Sequence, residues 1–244
     1  MRRKIELAME MTHIEKETDA LLQKSGFYLQ TYRAIDAQNV LRQAMSLMEG
    51  NKVQWQIEAA VYRNMGQALF QMSNFDDAMS FFLRSYDVLQ DGNDKAAAAG
   101  MIAGFYLQEG KKQEAMEYAE KALRTATAPE LILHPYQIQG GIALEDGDYP
   151  KAIELFNKAA ALAETNHCTT ELAMIIMDLS VVYIRMGMLE TALSEIYRAE
   201  RYVKECRNLD LYMRCAIRRA KILYYIGRDE EAKKLICALE EQKC

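Results

Sequence analysis

The chain has 244 residues, half of them hydrophobic, with a net charge of −5, 12 glycines and only 3 prolines. So few breakers exclude a strand-and-turn or a disordered protein, and the acidic balance weighs against nucleic acid as the main ligand. No apolar run reaches the roughly 20 residues that span a bilayer, and the opening MRRKIELAMEM has basic residues but no apolar stretch long enough for a secretory signal, so the chain reads as cytoplasmic.

Helical periodicity begins early. Residues 1–17 read as a leading helix or its extension, and Leu21, Ser25, Tyr28, Ala37, Leu41 and Ala44 form a faint first copy of a pattern that sharpens downstream. From Ala59, apolar or small residues at Tyr62, Met65, Gly66 and Leu69 lie on one face of a helix. Ser73-Asn74 breaks it, and a second helix follows with Ala78, Phe82, Ser85 and Tyr86 on one face. Four further copies keep the plan, centred on Ala115, Ala152, Ala192 and Ala232, with Gly110, Gly147, Gly187 and Gly227 closing the first helix of each.

From Ala37 to Ala232 the alanines are spaced by 41, 37, 37, 40 and 40 residues. A period near 40 predicts a stack of antiparallel helix pairs. The expected fold is all-α, a right-handed α-α superhelix (solenoid), as one helical-repeat domain over 1–244 with units at about 18–50, 59–90, 96–127, 133–164, 173–204 and 213–239. Close helix crossings need small residues. Gly66, Ala103, Gly140, Ser180 and Ala220 supply them on the first helices, and the repeat alanines on the second.

These residues resemble the tetratricopeptide repeat family, whose units carry a large residue, then Gly and Tyr, later Ala, Phe and Ala. The copy with Tyr136, Gly140, Gly147, Tyr149, Ala152, Phe156 and Ala159 fits best. The resemblance covers about 18–239. The units of 37–41 residues exceed the family's 34, and the frequent closing proline is missing, although Pro129 lies near one junction. The family often ends in a polar capping helix that this sequence does not show. Either self-association as a homodimer through the C-terminal repeat or a tolerated apolar strip of Leu235, Ile236 and Leu239 is expected.

Catalytic motifs are missing. His13, His134 and His167 lie in separate repeats, and no HExxH, GxSxG, P-loop or GxGxxG sequence occurs. The five cysteines, Cys168, Cys206, Cys215, Cys237 and Cys244, have no CxxC spacing and read as reduced thiols, with Cys244 the most exposed. Glu145-Asp146-Gly147-Asp148 lacks the ligand pattern of a calcium loop and reads as a solvated turn. No enzyme activity, metal or cofactor is expected.

A curved stack presents its first helices inward. The resemblance implies peptide binding there, and its register puts on that face Arg63, Gln67 and Phe70; Gly100, Gly104 and Leu107; His134, Gln137, Gly141 and Leu144; Met174, Met177, Val181 and Ile184; Arg214, Ile217, Lys221 and Tyr224. Mid-helix glycines there would admit a close backbone, and methionines adapt to apolar partners. Packing by the chain's own helices is the competing expectation. Some relatives clamp a terminal carboxylate, but the comparable positions here do not carry that set. Acids dominate from Glu130 to Glu195 and bases from Arg198 on. Arg214, Arg218 and Lys221 share one helix face, either as a solvated surface or as a dock for an acidic peptide end or phosphate. The expected function is a non-enzymatic scaffold or adaptor that binds a peptide or helix of a protein partner in the groove, without nucleic acid or membrane. The alternative is a sensor array of a bacterial-type signalling or transcription-control system with its output domain on another chain.

Overall fold

The computed structural model describes residues 13–90, 92–206 and 208–241. Among them are twelve α-helices and no strand: α1 (His13–Gln30), α2 (Ala34–Met48), α3 (Trp55–Gln71), α4 (Phe75–Val88), α5 (Asn93–Gln108), α6 (Lys112–Thr125), α7 (Glu130–Glu145), α8 (Tyr149–Thr165), α9 (Thr169–Arg185), α10 (Leu189–Cys206), α11 (Leu209–Ile226) and α12 (Asp229–Glu241). The class is all-α, as the periodicity predicts. Most of the proposed leading segment, residues 1–12, lies outside the described residues, as does Cys244. The chain divides into two compact units, one ending at Phe105 and one starting at Tyr106, with the division inside α5.

The repeat alanines set a common register. Ala37, Ala78, Ala115, Ala152, Ala192 and Ala232 are all buried. Five residues before each, the backbone has positive φ: 57° at Tyr32, 60° at Ser73, 73° at Gly110, 79° at Gly147, 74° at Gly187 and 86° at Gly227. The next residue's N–H then donates to the carbonyl five residues back, as in Arg33 to Tyr28 (2.8 Å), Asn74 to Leu69 (2.9 Å), Asp148 to Ala143 (2.9 Å) and Arg228 to Leu223 (2.9 Å). This closure satisfies carbonyls that the ending helix leaves bare. Glycine adopts it without strain. Tyr32 and Ser73 adopt it with a Cβ, at about 1–2 kcal/mol.

Twelve residues before each alanine sits the small seat of the first helix, and four after it the residue that goes with it. Gly66 goes with Phe82 and Gly140 with Phe156. A Cβ on either glycine would stand 2.8 Å or 2.9 Å from the phenyl ring. Elsewhere in the register the larger seats Ser25, Ser180 and Ala220 go with the smaller Leu41, Ile196 and Ile236. At the two glycine seats, then, the side chain occupies the volume a Cβ would take, whereas Ala103 goes with the equally small Ala119.

In the first unit the polar links between repeats join residues about one period apart. Asn64 Nδ2 donates to Ser25 Oγ at 3.0 Å, Gln71 Nε2 to the Leu29 carbonyl at 3.0 Å, and the Gln54 N–H to Glu15 Oε1 at 2.9 Å. The second unit has one continuous core that includes Leu133, Phe156, Ile175, Ile176, Ile196 and Ile222. Against it the buried carboxylate of Glu200 meets Arg219 at 2.7 Å. Burial, and then the charge of Glu200, pushes the Cys215 thiol up to about 12, so it stays protonated.

Candidate functional site

The second unit holds a cavity of about 460 Å³. Leu107, at the end of α5, contributes one edge. The α7 residues His134, Gln137, Ile138, Gly141 and Leu144 form one wall, and the α9 residues Met174, Met177, Asp178 and Val181 the other. Phe156 of α8 and Arg214 of α11 complete it. Nine of these, Leu107, His134, Gln137, Gly141, Leu144, Met174, Met177, Val181 and Arg214, are residues the register places on the inner face. Ile138, Phe156 and Asp178 are additions.

The walls have this character because α7 and α9 each keep one apolar stripe for the core and a second, mixed stripe for the cavity. Gly140 and Gly141 show the change of role within one residue. A Cβ on Gly140 would strike Phe156, whereas one on Gly141 would meet no atom within 4 Å. Met177 belongs to both stripes, because it lines the cavity yet is only 1% exposed. It is a wall and part of the core together.

The polar groups cluster on one side. Asp178 accepts from Gln137 Nε2 at 3.4 Å and lies 3.8 Å from the Arg218 guanidinium, which also donates to the Met177 carbonyl. Burial raises the Asp178 carboxyl above its ordinary value, while Arg218, Gln137 and Arg214 pull the other way. Burial likewise lowers the Arg218 guanidinium, and Asp178 opposes that. Arg214 stands apart. Its side chain is 53% exposed, and Asp210 lies 4.0 Å away. The His134 residue is exposed at the rim, and partial desolvation by the surrounding walls lowers its imidazole below the ordinary value.

Residues 57–128 match the family model of the tetratricopeptide repeat. That stretch carries tetratricopeptide repeats. Solved structures share the fold. The apo form of RapI superposes with a TM-score of 0.76 at 15% identity, over 97% of this chain and 67% of that one. A signal transduction ATPase with numerous domains (STAND) from Pyrococcus horikoshii, which has a tetratricopeptide repeat sensor, gives 0.78 at 16% identity, over 97% of this chain but 38% of that one. NprR in complex with its cognate peptide NprX gives 0.69 at 13% identity, over 99% of this chain and 71% of that one. No curated protein matches the sequence.

The remaining inner-face residues of the repeat protein lie elsewhere. Gln67 and Phe70 line a cavity of about 400 Å³ in the first unit with Leu29, Gln30, Gln71, Phe82, Met101 and Phe105. There Phe70 meets the ring of Phe105 edge-on at 5.0 Å. Arg63 is exposed and lines no described cavity, Gly100 is buried and Gly104 half-buried. Ile184 is half-buried against the core of the second unit. Ile217, Lys221 and Tyr224 line a different surface, between α11 and α12.

Four bases of the C-terminal run are paired within the chain. Arg218 goes to Asp178, Arg219 to Glu200, Arg198 to Glu195 at 3.4 Å and Arg228 to Glu231 at 2.6 Å. Arg207 lies outside the described residues. Of the three bases that share a face, Arg218 is engaged by Asp178, Arg214 is exposed beside Asp210, and Lys221 lines the surface between α11 and α12. In the acidic turn, Lys112 meets Glu145 at 3.2 Å and Asp146 at 2.7 Å, and Asp148 caps α8 by accepting from the Lys151 N–H at 3.2 Å. No helix of the described residues is long and apolar enough to cross a membrane.

Proposed function

We propose that the repeat protein is a non-enzymatic, cytoplasmic scaffold that binds a peptide or a helix of a protein partner in the cavity between α7 and α9. One observation carries this reading. The cavity has apolar residues on both walls and a mid-helix glycine opening onto it, with the hydrogen-bonded pair Gln137 and Asp178, and with His134 and Arg214, as the polar groups of its lining. Apolar walls with a few convergent polar groups suit an inserted side chain, with the polar groups left to orient the ligand's backbone or termini. A glycine without near neighbours lets that backbone come close. No nucleic acid or membrane is involved in this reading.

A sensor role in a signalling system, with the output domain on another chain, is the second reading. It is favoured by the likeness to the repeat sensor of the STAND protein and to NprR with its peptide. Both readings place the ligand in the same cavity.

The test is selection from a displayed random-peptide library, followed by titration of the enriched peptide. Gly141→Trp fills open space and is expected to weaken binding by about tenfold or more, with an unchanged melting temperature. Binding that survives Gly141→Trp would move the site elsewhere, and catalytic turnover of the peptide would end the scaffold reading. Met177→Glu is not a clean probe, because that side chain is buried.

A further inference from the structure

The last two helices repeat the geometry of the pair before them, shifted by 40 residues, as Ala192 and Ala232 show. In the earlier pair, Met177, Ser180, Leu193 and Ile196 are buried. Part of their cover is α11, which reaches both helices. Its Cys215 thiol points to the Ile196 carbonyl at 3.9 Å, and its Arg218 donates to the Met177 carbonyl. The equivalent positions of the last pair are Ile217, Ala220, Lys233 and Ile236. Here Ile217 is 57% exposed and Ile236 47% exposed. Between them runs a hollow of about 420 Å³ whose rim includes Tyr224, 65% exposed.

The register therefore states what shape fits. A helix lies on α9 and α10 at this position, so a helix fits on α11 and α12. It also states the charge. Val181, Leu189 and Leu193 of the earlier pair become Lys221, Asp229 and Lys233. Lysines now line the hollow from both helices, one on each, together with the single acid Asp229. Neither lysine is tied down strongly. Lys221 lies 5.8 Å from the Tyr225 ring, and Lys233 meets Glu230 at 3.1 Å in an exposed pair of the kind that adds little. In the earlier pair the charges run the other way, with acids Asp178 and Glu200 receiving bases of the covering helix.

We propose that the outer face of α11 and α12 docks an amphipathic helix of a partner protein, one with an apolar stripe and acidic residues on both flanks. The stripe enters the hollow over Ala220 and against Ile217 and Ile236, and the flanking carboxylates meet Lys221 and Lys233. A second copy of this chain fits less well. An isologous contact sets hollow against hollow and brings the four lysines to one seam.

The test uses the full chain and two labelled 18-residue helical peptides, matching the length of α11. One copies residues 209–226, the segment that covers the equivalent face. The other has glutamate at the positions of Arg214, Arg218, Arg219 and Lys221. In fluorescence anisotropy the acidic peptide is expected to bind, with the unaltered copy weaker by about tenfold or more. The double variant Lys221→Glu, Lys233→Glu is expected to reverse the preference, and Ile236→Asp to abolish binding with its helical circular dichroism intact. Gly141→Trp is expected to leave it unchanged, which keeps this surface distinct from the cavity. The proposal is overturned if the acidic peptide does not saturate, if the charge-reversed variant keeps the original preference, or if sedimentation shows a dimer that Ile236→Asp dissolves.

Discussion

The seam between α7 and α8 and the cavity wall beside it use adjacent glycines for opposite purposes. At the seam, Gly140 is small because the Phe156 ring fills the place where its Cβ would be. At the wall, Gly141 is small and nothing fills the space. The first is a packing requirement that the rest of the repeat repays. The second costs helix stability, about 1 kcal/mol relative to alanine, with no contact inside the chain to offset it. A ligand is the contact that would. Comparing the two separates residues that make the stack from residues left available on it.

Substitutions at the seam should be the most damaging. Ala152→Trp, at a fully buried crossing, is expected to destabilise by about 3 kcal/mol or more through overpacking, seen as a lowered urea midpoint. Gly140→Ala should lose about 1–2 kcal/mol despite the better helix former. Combining it with Phe156→Leu should then cost less than the sum of the separate changes, because the ring that clashes is gone. Additive losses would mean that the phenyl ring is not what holds the position to glycine.

At the wall the sign should invert. Gly141→Ala is expected to raise stability by about 1 kcal/mol in the same urea titration while weakening the selected peptide. If it destabilises like Gly140→Ala, the two glycines have the same role and the contrast fails. A smaller gain is expected at the turns, where Ser73→Gly removes a Cβ from a left-handed backbone at φ 60°, for about 0.5–1 kcal/mol.

The smallest effect expected is electrostatic. Partial desolvation lowers the His134 imidazole although the residue is exposed, so the folded state holds its proton slightly less well than the unfolded chain. Stability from this group is then full above the ordinary histidine value and is lost as pH falls through that value toward the lowered one. Urea midpoints measured from pH 7.5 to 5 (roughly the span of the ordinary histidine range) should fall more steeply in the wild type than in His134→Gln. Parallel slopes would place the titration on other groups.

Much of this was legible in the residues. The alanine spacing gives the helix pairs, and glycine five residues before the alanine gives the turn in the last four. Tyr32 and Ser73 hid the same turn in the first two, since neither residue advertises a left-handed backbone. The cavity walls follow from the register because residues about one period apart sit side by side on neighbouring first helices. The same rule could have found Asp178. It lies 40 residues before Arg218, so an acid and a base one period apart are candidates to pair across repeats. The spacing along one helix face does not show that relation, and so does not show the commitment of Arg218 and Arg219 to Asp178 and Glu200. The repeat pattern gives Phe156 only a packing role, yet its ring both fills the space at Gly140 and lines the cavity. The burial of Gly100 depends on which neighbours α5 meets, and spacing alone does not give that.

The central claim is that the ligand enters between α7 and α9, and methyl NMR on methionine-labelled protein tests it most directly. With the selected peptide added, Met174 and Met177 are expected to shift strongly, while the exposed Met186 and Met188 in the turn after α9 stay in place. Shifts confined to methionines outside the cavity, with Met174 and Met177 unmoved at saturation, would contradict it.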